Sequence, residues 1–271
     1  MKFFKWRYIE DDGSSASFGL AADEYITKKL CASPYSHILR LYTYKDTSVM
    51  VGRHQDVDSE VNLSYCTRLG IEVNRRPTGG GAIIMGKGQL GIALAGPVNG
   101  QSPLLASKTI FSPFTRGIIA ALGLLGIRAW FRPENDVYVK GRKVAGLACY
   151  SLDEYPAGLY HASILADMDT DLMSKLLKKP GEKGGSITTI SSELGRHVST
   201  CELRGYVKSG FEKTLHVELV PEPFNREELT EIKKLEEEKY KSRAWIYYGQ
   251  EHPTQGSHEQ LEIATGLRPS Q

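Results

Sequence analysis

Arg75-Arg76-Pro77-Thr78-Gly79-Gly80-Gly81 is the segment whose residue types best suit chemistry. Three consecutive glycines cost backbone entropy and offer no side chain to pack, so their use between two strand-like runs implies that bare backbone is needed there. Bare amides beside two guanidinium groups suit an oxyanion, either a phosphate or a carboxylate. The competing reading is a flexible hairpin with solvated arginines. Beginning at Gly81, GAIIMGKG comes close to the phosphate-loop pattern GxxxxGK[ST]. Gly88 stands where the magnesium-binding hydroxyl belongs, however, and no helix follows directly. That reading is rejected, and Lys87 is kept as a local phosphate contact.

Lys143 is the second candidate. It follows the turn Lys140-Gly141-Arg142 on a run whose Ala145, Gly146 and Ala148 are small, leaving room for a ligand beside an ammonium that could hold a phosphate or a developing charge. Cys149, six residues on, shares a face with Lys143 if the strand is regular. As a nucleophile it would need a base, for which His161 on a neighbouring strand is the candidate. The plainer expectation is a buried, inert thiol. The seven histidines show no HExxH or paired-ligand spacing, which argues against the common zinc enzymes.

These groups must be held by something, and the chain has material for it. At 271 residues, 41% hydrophobic and 24% charged, it has the composition of a globular protein of one or two domains. A net charge of +2 excludes a global field for nucleic acid. Cys31, Cys66, Cys149 and Cys201 form no CxxC pair, so reduced thiols in a cytoplasmic protein are expected. No apolar stretch is long enough for a bilayer, and the N-terminus lacks a signal-peptide pattern.

Strand-like and helical runs alternate without a linker, which predicts one mixed α/β domain over 1–250 and a polar, poorly ordered tail over 251–271. Strands are expected at the N-terminus, 37–44, 48–52, IEVNRR, GAIIM, LGIALAG, 136–139, 143–152 and 159–167. Helices are expected at 17–30, at 58–69 ended by Gly70, within 102–125 with Pro113 at its start or kinking it, at 170–179 stopped by Pro180-Gly181, and at 201–215. A last helix, 226–241, is capped by Asn225 with Glu228 at N3. The charge run from Arg226 to Arg243 reads as a solvated helix face.

Taken together and in order, RRPTGGGAI, END before a strand, GRKVAG and LYHASILADMDTDLM resemble the lipoate-protein ligase catalytic domain of the biotin/lipoate ligase superfamily. VGRHQDVDSEVN and EEKYKSRAWIYYG extend the resemblance to about residues 5–250. It implies a mixed sheet flanked by helices, of the kind shared by class II aminoacyl-tRNA synthetases and biotin ligases. It also implies activation of lipoate by ATP to lipoyl-AMP and transfer to a lysine of a lipoyl carrier domain. On this resemblance Lys143 takes the place of the essential lysine. Arg76, Thr78, Gly79, Gly80, Gly81, Gly146 and His161 would line the acyl site. Arg75, Gly81, Ala82, Lys87, Gln89, Asn135, Asp136, Lys143 and Ala148 would line the nucleotide site, and Mg2+ would sit by Asp136. The implied partner is a 2-oxoacid dehydrogenase E2 subunit, a glycine-cleavage H protein or a related lipoate-binding protein, with or without a separate accessory-domain protein. No nucleic acid or membrane partner is implied.

The chain departs from the family where a Tyr-His-Asp and a later Asn usually follow the glycines. Here Ile84-Met85-Gly86 and Gly91 stand instead, leaving Lys87 and Gln89 as substitutes. Octanoyltransferases of the superfamily place a nucleophilic cysteine in segments that here read FRPENDVY and LKKPGEKGG, neither containing one. A transferase acting through Cys149 and a noncatalytic lipoyl- or partner-binding module are the alternatives.

Overall fold

A computed structural model describes residues 4–98, 103–133, 135–151, 156–178 and 186–251, with no side chain described from 103 to 112. The Pro180-Gly181 stop, most of LKKPGEKGG and nearly all of the 251–271 tail lie outside these residues. The elements are β1 (Phe4–Ser14), α1 (Ala16–Lys29), β2 (Ile38–Tyr44), β3 (Ser48–Val51), α2 (Val57–Glu60), α3 (Leu63–Leu69), β4 (Glu72–Arg75), β5 (Ile83–Met85) and β6 (Gln89–Pro97). They continue with α4 (Pro103–Leu124), β7 (Ala129–Arg132), β8 (Asp136–Val139), β9 (Arg142–Ser151), β10 (Ala157–Leu165), α5 (Asp171–Leu176), α6 (Ile190–Leu194), α7 (Thr200–Leu215), β11 (Val217–Pro221), α8 (Arg226–Leu235) and α9 (Arg243–Tyr248).

Eight strands form one mixed sheet in the order β11-β1-β2-β6-β10-β9-β8-β7, and β4-β3-β5 form a smaller one. Strand alternation divides the large sheet into two faces. Leu41, Ile92, Val144 and Leu147 look toward α4 and α7, packing with Phe114, Ile118, Val207 and Phe211. The two helices touch at glycine: a Cβ on Gly210 would lie 2.4 Å from the Gly117 carbonyl oxygen. Ile38, Tyr42, Ala93, Ala95 and Leu159 look the other way, toward α1, Tyr240 and Trp245. This is a mixed α/β fold, and no helix among the described residues is long and apolar enough to cross a membrane.

Several boundaries differ from the expectation for local reasons. The 58–69 run is two helices, because Asn62 leaves helical geometry and caps α3 through the Tyr65 amide. Gly70 does close α3 in the left-handed region, at φ 64°. Pro113 lies inside α4. The helix expected to reach 179 ends at Leu176, where the Lys178 amide turns to the Glu60 carbonyl. The Asn225/Glu228 capping box is present on α8, but the helix passes into a π-helical turn at 236–240. That turn carries part of the supposedly solvated face inward. Glu236 accepts from the Ser17 hydroxyl at 2.8 Å, and Lys239 donates to the buried Glu24 at 2.8 Å. β7, β11, α6 and α9 have no counterpart among the expected elements.

Candidate functional site

Lys140 and Gly141, at φ 47° and 78°, form the two-residue turn between β8 and β9. Positive φ at both positions is what a tight hairpin turn matching the strand twist requires. Three residues later the register slips: Val137 pairs with Ala145 but Tyr138 pairs with Lys143, leaving Val144 as an extra residue. Such a bulge reverses the alternation of side chains on either side of it. Val144 and Ala145 both enter the core under α4 and α7, and Lys143 is turned to the opposite face.

There the Lys143 ammonium lies 2.6 Å from Asp136 Oδ1. A Cβ on Gly146 would meet Lys143 Nζ at 3.2 Å, so the glycine leaves the space the lysine occupies. The lysine backbone is pinned by the Ser186 carbonyl and the Thr188 amide. The Glu193 carboxylate ties that segment to the hairpin by accepting from Thr188 Oγ1 at 2.8 Å and pairing with Arg142 at 2.5 Å and Lys140 at 3.2 Å. Burial opposes ionisation of Glu193, but these donors and cations hold its pKa below the usual value.

Cys149 therefore does not share a face with Lys143. It packs, half-buried, against the core beneath α4 and α7, and burial pushes its thiol pKa up. His161 is not its base, because Cys149 pairs across the strands with Tyr160, and His161 faces the other side. His161 Nε2 instead lies 2.8 Å from Asp23 Oδ2, and Asp23 Oδ1 accepts from Arg40 at 2.6 Å. Asp23 is fully buried. Burial would raise its pKa, but the charges of Arg40 and His161 hold it below 3.8. Neither Asp23 nor Arg40 was singled out by sequence. The only signal was a charged residue at an otherwise apolar position of α1 and of β2.

Cross-strand registers place the site residues in two rows on this face. Gly91, Ser163, Gly146 and Asp136 form one, and Arg40, Ala93, His161 and Ala148 the other. At about 4.8 Å between strands, the tract from Gly91 to Gly146 is roughly 10 Å wide and floored by small residues. The hydroxyls of Ser163, Tyr150 and Thr78 are buried without a hydrogen-bond partner among the described residues. Buried polar groups left unpaired are costly, which points to a polar ligand that completes them.

The glycine loop approaches this tract from the small sheet. A Cβ on Gly91 would meet Tyr42 at 2.4 Å and Met85 Cε at 2.5 Å, so β5 seats on β6 at that glycine. Arg76 is buried in the field of Tyr42. It donates to the carbonyls of Met50, Gly79 and Gly81 at 3.0, 2.9 and 2.7 Å. No carboxylate pairs with it among the described residues, and burial pushes its pKa down to about 10. A desolvated guanidinium of this kind favours an arriving anion. Gly80, at φ 96°, lies in the left-handed region, and Gly79 and Gly81 face open space.

Other expected contacts are spent elsewhere. Arg75 donates to the carbonyls of Gly52, Arg53, Gln55, Trp245, Ile246 and Tyr247, strapping the C-terminal segment to the chain that follows β3 instead of presenting itself to a nucleotide. Gln89 bonds to the Gly86 amide and the Ile84 carbonyl, both at 2.8 Å, and so closes its own hairpin. Asn135 Nδ2 donates to the Leu147 carbonyl at 2.8 Å. Ala82 packs beside the small-sheet core. Lys87 is exposed on a turn facing Asp46, Asp167 and Asp169. Among the described residues no group of three or more His, Cys, Asp or Glu could hold a metal. Asp136 offers one carboxylate, enough for Mg2+ carried in on phosphates.

Residues 15–212 match the family described as the lipoyl protein ligase A/B catalytic domain. The octanoyltransferase LipM of Carboxydothermus hydrogenoformans is 27% identical, covering 89% of this chain and 98% of that protein. In a structure of a bi-partite lipoate protein ligase and its E2 lipoyl domain from Thermoplasma acidophilum, one chain superposes with a TM-score of 0.79 at 27% identity, over 90% of this chain and 96% of that one. A lipoate-protein ligase A bound with ATP gives 0.79 at 25% identity, over 91% and 99%.

Proposed function

The chain belongs to the lipoyl protein ligase A/B catalytic-domain family, and on that premise we propose that it is an ATP-dependent lipoate-protein ligase. In the reaction the lipoate carboxylate attacks the α-phosphorus of ATP and displaces pyrophosphate, giving lipoyl-AMP. A carrier lysine amine then attacks the acyl carbonyl, AMP leaves, and an amide forms with release of a proton. Lys143 stabilises the charge that builds on the carboxylate and α-phosphate oxygens as pyrophosphate departs. The Arg76 guanidinium and the Gly79–Gly81 backbone hold the anionic end of the ligand. The small-residue tract takes the acyl chain, with His161 at its far end, and Asp136 would hold Mg2+ brought by the nucleotide.

The observation that carries this reading is the Val144 bulge. It sets Lys143 on the face with Asp136, Gly146 and His161 and leaves Cys149 against the core on the other. The similarity to LipM favours a second reading, an octanoyltransferase with a thioester intermediate. That chemistry needs a thiolate near a base, whereas Cys149 is half-buried against the core, its pKa is raised, and His161 lies across the sheet.

The test is intact-protein and small-molecule mass analysis after incubation with ATP, lipoate and a lipoyl domain, in parallel with octanoyl-carrier protein without ATP. ATP-dependent lipoyl-AMP and a lipoylated domain, retained in Cys149→Ser, are expected. An octanoyl adduct on the enzyme that disappears in Cys149→Ser would establish the transferase.

A further inference from the structure

A third row starts at Lys143 and runs outward. Trp130 pairs with Tyr138, and Tyr138 with Lys143, so the three lie side by side on the ligand face. β7 is the terminal strand of the large sheet, and α1, which covers this face over β2, β6 and β10, has no comparable packing on β7 or β8. Trp130 is 44% exposed. Along β7 the exposed positions alternate with half-buried ones, and Arg128, Trp130 and Arg132 are all exposed. Arg132 is anchored, its Nη1 donating to Tyr138 Oη at 2.9 Å and its guanidinium lying 5.1 Å from the Tyr138 ring centroid. Arg128 has no ionic partner among the described residues.

We propose that the Arg128-Trp130-Arg132 stripe is the docking surface for the acyl-accepting protein, a small domain whose modified lysine is flanked by carboxylates. An exposed aromatic between two arginines has the composition of an interface anchor, and the charge calls for an acidic partner. Two inter-strand spacings separate Trp130 from Lys143, roughly 10 Å. A domain seated on the stripe could therefore present its lysine where the activated acyl group is held. A nucleotide base stacked on Trp130 could bring its phosphates to only one side, whereas the cations flank the ring on both, over about 13 Å of strand. Charged residues on a short edge strand commonly guard against aggregation, but an exposed tryptophan among them works against that purpose.

The inference rests on the acyl-transfer reading only in naming the partner, and docking needs no ATP. The probe is an unmodified lipoyl domain of a 2-oxoacid dehydrogenase with carboxylates beside its acceptor lysine, together with a version in which those carboxylates are amides. Calorimetric titration without nucleotide, at low and physiological salt, is repeated with Arg128→Glu, Trp130→Ala and the double variant. Unchanged circular dichroism and unchanged ATP affinity serve as controls. Carrier affinity should weaken about tenfold or more in the double variant, and it should also weaken with added salt and with the amide carrier. Failure of the wild type to bind, or an affinity untouched by the variants, overturns the proposal. A loss of ATP affinity instead would make the stripe a nucleotide platform, and a loss of solubility alone would make it an edge guard. If docking is lost as expected but no acyl-AMP ever forms, the ligase reading fails and the docking surface stands.

Discussion

Gly52 lies outside the triple-glycine segment, yet its substitution should damage the site more than substitution within the segment. A Cβ built on Gly52 would lie 2.1 Å from the Gly80 carbonyl oxygen, whereas ordinary contact begins at 3.4 Å. In Gly52→Ala the loop must therefore retreat by about 1.3 Å, and the atom in the way is backbone that cannot rotate aside. Overpacking of this kind costs roughly 1–3 kcal/mol. In a chain of this size that is about 2–12 °C in Tm. The retreat also carries Gly79 and Gly81 away from Arg76, whose bonds to their carbonyls are 2.9 and 2.7 Å. A shift near 1 Å in a positioned group can lower activity about a hundredfold. Gly79→Ala is the matched control, because its Cβ would meet nothing within 4 Å and its φ is not positive. Differential scanning calorimetry and titration with lipoate and ATP read both effects. Gly52→Ala should lower Tm and affinity together, and Gly79→Ala should keep the wild-type Tm even if its methyl occupies ligand space. Wild-type stability and affinity in Gly52→Ala would show that the loop is loose and that the close approach has no functional meaning.

Lys143→Ala should slow pyrophosphate release by on the order of 100- to 1,000-fold, the usual loss for one preorganised donor; undiminished release would remove the lysine from the chemistry. Asp23→Asn strips the fully buried Arg40 of one of its two carboxylates, so urea unfolding should show a loss approaching the roughly 3–5 kcal/mol of a broken buried pair; a change below about 1 kcal/mol would mean that Asp11 alone suffices. Burial, with stacking on Trp6 at 4.4 Å, pulls the His37 imidazole from 6.5 down to about 4. The unfolded chain takes up a proton in that interval that the folded chain refuses, so this contribution is whole above pH 6.5 and declines toward pH 4, by at most roughly 3 kcal/mol before solvent screening at the half-buried ring. His37→Phe should flatten the slope in unfolding experiments between pH 7 and 4.5, and an unaltered slope would place the titration elsewhere.

The elements that sequence revealed were those with a strong local cause. The β-branched and aromatic Ile38–Tyr44 run, the Asn225/Glu228 box and Gly70 after Leu69 each carry their instruction within a few residues. What escaped depends on neighbours distant in the chain. Cys149 was expected beside Lys143 because a six-residue spacing in a strand preserves the face, and one extra residue, Val144, cancels that rule without leaving a mark in composition. Arg75 and Arg76 look equivalent in sequence, but consecutive residues of an extended chain point to opposite sides. One meets the C-terminal carbonyls and the other the glycine loop. β11 is a five-residue edge strand whose pairing with β1 lies more than 200 residues away, so its VELVP pattern gave little to read.

The strap between Arg75 and residues 245–247 also bears on how the protein is made. Trp245 Nε1 donates to the Arg75 carbonyl at 2.8 Å across 170 residues of chain. At 5–20 residues per second, translation brings the two together only about 10–30 s after Arg75 is made. Through that interval the sheet can assemble while Arg75 is held only by the carbonyls of Gly52, Arg53 and Gln55. The family match ends at residue 212, well before the strap. A fragment cut to that boundary would keep most of the strands and the carbonyls of Gly52, Arg53 and Gln55, but it would lack the 245–247 carbonyls that complete the hold on Arg75, so the family match stops short of a segment that Arg75 needs.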